Sequence, residues 1–210
     1  MLYIFDWDGT LCDSAAKIIA CMHRASEAQG LTPCSDDEVR DIIGLSLPEA
    51  LARLYPELDE RGIGHMCEAY GLHFREADQI PCELFPGVSQ TLDELVSRGH
   101  QIAVATGKSR AGLNRVWSNM GLEGVFHSSR CADETASKPH PRMLFELLHE
   151  LKAAATDAVM VGDTEFDMEM ARRADVPRVA VDYGAHHVSR LKAYDPLMCV
   201  SEMSSILSLA

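Results

Sequence analysis

The sequence predicts an α/β protein: a parallel, Rossmann-like sheet covered by helices, with an α-helical cap inserted after the first strand. Three observations predict it. Short runs rich in Val, Ile, Ala and Leu alternate with helix-length segments over most of the chain, the pattern of βαβ units whose strands are buried on both faces. Residues 14–82 break that alternation and hold no convincing strand. The first apolar run ends in two aspartates, Asp6 and Asp8, followed at once by Gly9-Thr10.

In order along the chain, residues 2–6 are short and apolar enough for a buried strand. Residues 15–28 read as a helix that stops at Gly30. Ser35 has the look of an N-cap, with Glu38 three residues on completing a capping box for a short helix to Ile43. Residues 48–54 and 59–77 read as further helices, the second interrupted near Gly62-Ile63-Gly64. The α/β pattern resumes at Phe85-Pro86-Gly87-Val88. Helices are expected at 88–98, 109–120, 141–151 and 166–174, the last stopped by Pro177. Strands are expected at 101–106, 124–127, 158–161, 178–181 and, weakly, 198–200. The core is therefore assigned to residues 1–13 and 84–210, and the cap to 14–83. An insert that leaves the chain just after Asp6 and Asp8 must hang over them, as a lid does.

The net charge of −13 argues against a nucleic-acid partner, which calls for a basic surface. No stretch is long and apolar enough to span a membrane, and Asp6 and Asp8 interrupt the N-terminal run too early for a signal peptide. Seven cysteines, none at metal-ligand spacing, read as reduced thiols in the cytoplasm, with Cys12 as a small packing residue. Oligomeric state is not legible.

Four patches carry chemistry. Asp6-x-Asp8-Gly9-Thr10 places two carboxylates two apart on an extended segment, so both face one site. Thr106-Gly107-Lys108-Ser109 follows a strand and opens a helix. Lys138 precedes Pro139 and Pro141. Gly162-Asp163 ends another strand, with Asp167 four residues later. Each alone is an ordinary cap, turn or surface charge. Together they differ, because a parallel sheet brings three of the four to one edge. Asp6, Asp8, Asp163 and Asp167 form a set of hard oxygen ligands suited to Mg²⁺. Thr106, the backbone N–H of Gly107 and the Lys138 ammonium suit a phosphate. A metal, a phosphate cradle and a spare carboxylate add up to phosphoryl transfer, with Asp6 as nucleophile forming an aspartyl-phosphate.

On these motifs the chain resembles the haloacid dehalogenase superfamily, in the branch with a helical cap after the first strand that includes phosphoglycolate phosphatases. Phe5-Asp6-Trp7-Asp8-Gly9-Thr10-Leu11-x-Asp13-Ser14 is its most specific part, and the other three patches follow in the family's order. The resemblance implies a Mg²⁺-dependent phosphatase acting on a small phosphorylated metabolite such as phosphoglycolate or a sugar phosphate. It implies that Asp6 attacks phosphorus and that Asp8 protonates the leaving alcohol, then activates water. The metal would be held by the Asp6 carboxylate, the Asp8 backbone carbonyl and the Asp163 carboxylate. Asp167 would support the metal directly or through water, or orient Lys138. Asp8 is expected to be kept protonated by anionic neighbours. Gly107 departs from the Asn or Ser that many relatives carry there.

Asp8 argues against a dehalogenase, which needs no proton donor, and against a phosphonate-cleaving enzyme, for which Lys17 would be the Schiff-base lysine; Lys17 reads instead as a surface residue. A β-phosphoglucomutase-like mutase keeps both aspartates, but the linker Ser14-Ala15-Ala16-Lys17 is more like that of the phosphatases. A non-catalytic module on the same fold is the remaining alternative, opposed by the intact catalytic positions. Candidate readers of the substrate are Arg40, Arg53, Arg75 and the turn Gly44-Leu45-Ser46-Leu47. Met66, Tyr70, His73 and Phe74 read as the interior of the cap.

Overall fold

The computed structural model describes all 210 residues. Six parallel strands form the sheet, in the spatial order β5-β4-β1-β6-β7-β8: β1 (Leu2–Phe5), β4 (Gln101–Thr106), β5 (Ser128–Cys131), β6 (Ala158–Gly162), β7 (Arg178–Val181) and β8 (Met198–Val200). The strands read as continuous apolar runs because each buries both faces. Tyr3 and Phe5 of β1 join Ile102, Val104, Val159 and Val161 in one core, while Leu2 and Ile4 join Ala103, Ala105, Ala158 and Met160 in the other. Helices α5 (Val88–Ser97) and α6 (Arg110–Met120) cover the first face through Leu92, Leu95, Leu113 and Val116. Helices α7 (Arg142–Glu150) and α8 (Glu165–Arg173) cover the second through Leu144, Leu147, Met170 and Ala171. A short helix α9 (Val188–Lys192), not foreseen, packs Leu191 against Ala180 of β7.

The insert holds α1 (Ala15–Ala28), α2 (Asp36–Asp41), α3 (Leu47–Leu54) and α4 (Glu60–Ala77) around an apolar cluster of their own, built on Ile19, Met22, Leu51, Met66 and Phe74. Ser35 caps α2 with Glu38 in the expected box. Where the insert leaves and rejoins the core, β2 (Cys12–Asp13) pairs antiparallel with β3 (Glu83–Leu84): Cys12 lies opposite Leu84 and Asp13 opposite Glu83.

Three expectations need correction. The strand expected at 124–127 lies at β5 instead; Phe126 fills the core from a turn, and the sheet edge is taken by the polar Ser128-Ser129-Arg130. An edge strand has fewer apolar neighbours to satisfy, so its sequence carries no hydrophobic signal. Helix α4 is not interrupted at Gly62 and Gly64. The Asp59 carboxylate accepts from the Gly62 N–H at 2.8 Å, so the glycines lie in a capped first turn. Lys17 is not a surface lysine: its ammonium reaches the Ile80 carbonyl at 2.6 Å and Asp78 at 3.3 Å, tying α1 to the end of the insert.

Candidate active site

β1 lies between β4 and β6, so the residues just beyond these three strands meet at one edge. Asp6 follows β1, Thr106 ends β4 and Asp163 follows β6. Ligand oxygens of Asp6, Asp163 and Asp167 lie within 4.8 Å of one another, and all three residues are buried. Lys138 is wholly buried among them, its Nζ 2.6 Å from Asp6 Oδ1 and 2.7 Å from Asp167 Oδ1.

Asp6 Oδ1 also accepts the Trp7 N–H at 2.6 Å, whereas Oδ2 is buried without a hydrogen-bond partner. Asp163 accepts the Thr10 hydroxyl on Oδ1 and the Ala185 N–H on Oδ2, both at 2.7 Å. The chain passes Asp163 at Gly9, which has a φ of +82°; a Cβ there would stand 2.2 Å from Asp163 Oδ2. That close approach accounts for the glycine of the opening motif. Asp167 accepts on Oδ2 from the Thr164 N–H and hydroxyl, closing the capping box of α8. With Lys138 on its other oxygen, Asp167 is placed to orient that lysine.

Burial would push the Lys138 ammonium down, but Asp167 and Asp6 outweigh it and raise its pKa above the ordinary lysine value. Burial, opposed by Lys138 and reinforced by Asp167 and Asp163, holds Asp6 well above the carboxylate range. Asp163 is pushed up to about 7, by burial first and then by Asp167. Beside this burial stands a shortfall of positive charge: one ammonium faces three buried carboxylates. An uncompensated buried charge costs several kcal/mol. A divalent cation would supply the missing charge, and the bare Asp6 Oδ2 is an oxygen free to bind it, so the residues present fit a hard metal such as Mg²⁺.

Asp8 stands apart from this cluster. Its Oδ1 accepts from Ser14 Oγ at 2.6 Å and lies 3.1 Å from Lys108 Nζ. The anionic neighbours expected around it are replaced by an ammonium and a hydroxyl, because the side chain turns toward the cap. The Asp8 carboxylate is not part of the Asp6–Asp163–Asp167 cluster. Lys108, which the motif reading passed over, also rests on the Phe74 ring of α4 at 4.5 Å. Its place directly after Thr106-Gly107 was the available signal. Thr106 Oγ1 accepts the Lys108 N–H at 3.1 Å, so its own O–H remains to donate.

The cap closes directly over Gly107. A Cβ at this position would stand 2.4 Å from the Leu45 carbonyl oxygen and 2.6 Å from that of Gly44. The departure from Asn or Ser therefore makes room for the cap backbone. Beside it, the Ser46 N–H donates to Ser137 Oγ at 2.9 Å, so this part of the turn binds the core. Across the same boundary His186 contacts the Asp41 carbonyl at 3.1 Å and Arg190 pairs with Asp41, while Glu165 holds Arg190 from within the core. These long-range pairs had no sequence signal. Among the arginines singled out, Arg40 pairs with Asp37, Arg53 lies over the Phe166 ring, and Arg75 alone borders the space above Asp8. Tyr70 and Phe74 border it too, so they are more than cap interior.

The description "Haloacid dehalogenase-like hydrolase" matches residues 3–181. The chain belongs to this family. It is 34% identical to a protein of Dickeya dadantii named "Probable phosphatase IndB", over all of this chain and 93% of that one. It is 31% identical to a phosphoglycolate phosphatase of Agrobacterium fabrum, over 87% of this chain and 81% of that one. A crystal structure of a haloacid dehalogenase-like hydrolase from Bacteroides fragilis superposes with a TM-score of 0.89 at 26% identity, covering 98% of each chain. The family, its fold and its named relatives agree: the chain is an enzyme of the phosphatase kind. No helix is long and apolar enough to cross a membrane.

Proposed function

We propose that this hydrolase is a Mg²⁺-dependent phosphatase that cleaves a small organic phosphate monoester through an aspartyl-phosphate on Asp6. The observation that carries the reading is the separation of the two motif aspartates. Asp6 is buried in the charge-deficient cluster with one bare oxygen, while Asp8 faces the space beneath the cap. A nucleophile is needed on one side of phosphorus and a proton donor on the leaving-group side.

Asp6 attacks phosphorus and the ester bond breaks; Asp8 gives a proton to the departing alkoxide. Asp8 then takes a proton from the water that hydrolyses the aspartyl-phosphate, returning Asp6 and releasing phosphate. The Thr106 hydroxyl, the Gly107 N–H and the Lys138 ammonium hold the phosphoryl oxygens. Asp167 fixes Lys138 for this task. The carboxylates of Asp6 and Asp163 and the backbone carbonyl of Asp8 would hold the metal. When bound, Mg²⁺ offsets the negative charge of the cluster and of the substrate. Residues 14–83 act as the cap that excludes water and reads the leaving group.

The test is release of phosphate from p-nitrophenyl phosphate with Mg²⁺ or with EDTA, beside Asp6→Asn. The expected result is turnover that needs Mg²⁺ and falls at least about 10³-fold in the near-isosteric variant. Comparable turnover by Asp6→Asn would refute the nucleophile assignment.

A further inference from the structure

A cavity of about 360 Å³ lies between cap and core. Of the four site aspartates only Asp8 borders it; Asp6, Asp163 and Asp167 do not. On the proposed reading Asp8 protonates the leaving group, so the cavity is where that group sits. Its size is at the lower end of small-molecule pockets, about 300–1,000 Å³.

About half of the lining is apolar, Ile18, Met22, Ile42, Leu45, Tyr70 and Phe74 among it. The cations that border the cavity are mostly engaged. Lys108 is held by Asp8 and by the Phe74 ring, and Arg115 pairs with Asp78 at 2.7 Å. Arg75 forms none of the ion pairs, and it lies at the mouth, where its Nη1 folds back to 3.3 Å from the position of a Cβ on Gly71. A carboxylate one carbon away from the ester oxygen, as in phosphoglycolate, would lie next to Asp8 and would have to draw Lys108, the one cation beside it, away from Asp8 and the Phe74 ring. Burying it there would cost far more than burying a hydrocarbon.

We propose that the leaving group is an alcohol with an uncharged, apolar body of ring size next to the phosphate, any negative charge standing at its far end against Arg75. This inference rests on the phosphatase reading and names its substrate class: arylmethyl or alicyclic-methyl phosphate monoesters. Each methylene buried against the apolar walls contributes about fourfold in binding, so a ring outweighs a two-carbon acid by at least about tenfold.

The experiment compares kcat/KM for benzyl phosphate, 4-carboxybenzyl phosphate and 2-phosphoglycolate with Mg²⁺, using p-nitrophenyl phosphate as control. The expected order is 4-carboxybenzyl above benzyl, and benzyl above phosphoglycolate by at least about tenfold. Arg75→Gln, a change at an exposed side chain, is expected to remove the advantage of the carboxyl group, acting on KM and not on kcat. Phosphoglycolate equal to or better than benzyl phosphate overturns the proposal and leaves the phosphatase reading standing. A carboxyl advantage that survives Arg75→Gln overturns the role of Arg75. No turnover of any ester, including the control, overturns the phosphatase reading and this proposal with it.

Discussion

Replacing Gly107 by alanine adds one carbon at a point where the backbones of cap and core touch. The new Cβ would stand 2.4 Å from the Leu45 carbonyl oxygen, where about 3.0 Å is the shortest tolerable approach. The obstacle is backbone, so the cap must retreat by about 0.6 Å at least, and by about 1 Å to regain ordinary contact. The neighbouring Ser46–Ser137 bond, 2.9 Å long, is stretched by the same retreat past hydrogen-bonding range. Its loss costs about 1 kcal/mol of closure, and a 1 Å misplacement at a reacting centre costs about a hundredfold in rate. The backbone of Gly107 lies outside the left-handed region, so alanine meets no conformational penalty of its own. The expected outcome is a fall in kcat/KM for p-nitrophenyl phosphate of about ten- to a hundredfold with the melting temperature nearly unchanged. A kcat/KM within about twofold of the parent would show that this contact does not govern closure.

Lys138→Met leaves Asp6, Asp163 and Asp167 without their buried ammonium and is expected to cost about 3–5 kcal/mol in urea unfolding without metal; a loss below about 1 kcal/mol would mean the cluster is stabilised by other means. Cys82, half-buried where the insert rejoins the core, has its pKa lowered to about 7 chiefly by the Cys12 thiol, with Lys17 and Lys108 helping. Thiolate forms as pH rises through that value, so iodoacetamide labelling of Cys82 should be half-maximal near pH 7 and shift upward in Cys12→Ala, as read by peptide mass spectrometry. A midpoint in the ordinary thiol range for both proteins contradicts the influence of Cys12 on Cys82.

What could be read from the sequence follows from locality. Strands β1, β4 and β6 announce themselves because both faces are buried, and the capping box at Ser35 spans only three residues. The aspartates, Thr106 and Lys138 were legible only as a set: each alone is an ordinary cap, turn or charge, but a parallel sheet brings the strand ends that carry most of them to one edge. β5 was misplaced because its polar edge carries no periodicity, and the two-residue strands β2 and β3 are too short to show any. The surroundings of Asp8 were misjudged for another reason. Two side chains on the same side of an extended segment still diverge at its end, one into the sheet edge and one toward the cap. Lys17 with Asp78 and Arg190 with Asp41 depend on partners 61 and 149 residues distant, beyond any local pattern.

The pairing of Asp13 with Glu83 gives the helical insert touching ends, about one strand spacing, 5 Å, apart. A segment that begins and ends at neighbouring points burdens its host no more than a hairpin loop does. The sheet register on either side is indifferent to whether 2 or 70 residues intervene. On the proposed reading much of the selectivity is housed in an exchangeable segment: another insert of similar ends would change the choice of ester, provided that it keeps the fit to Gly107 and Ser137.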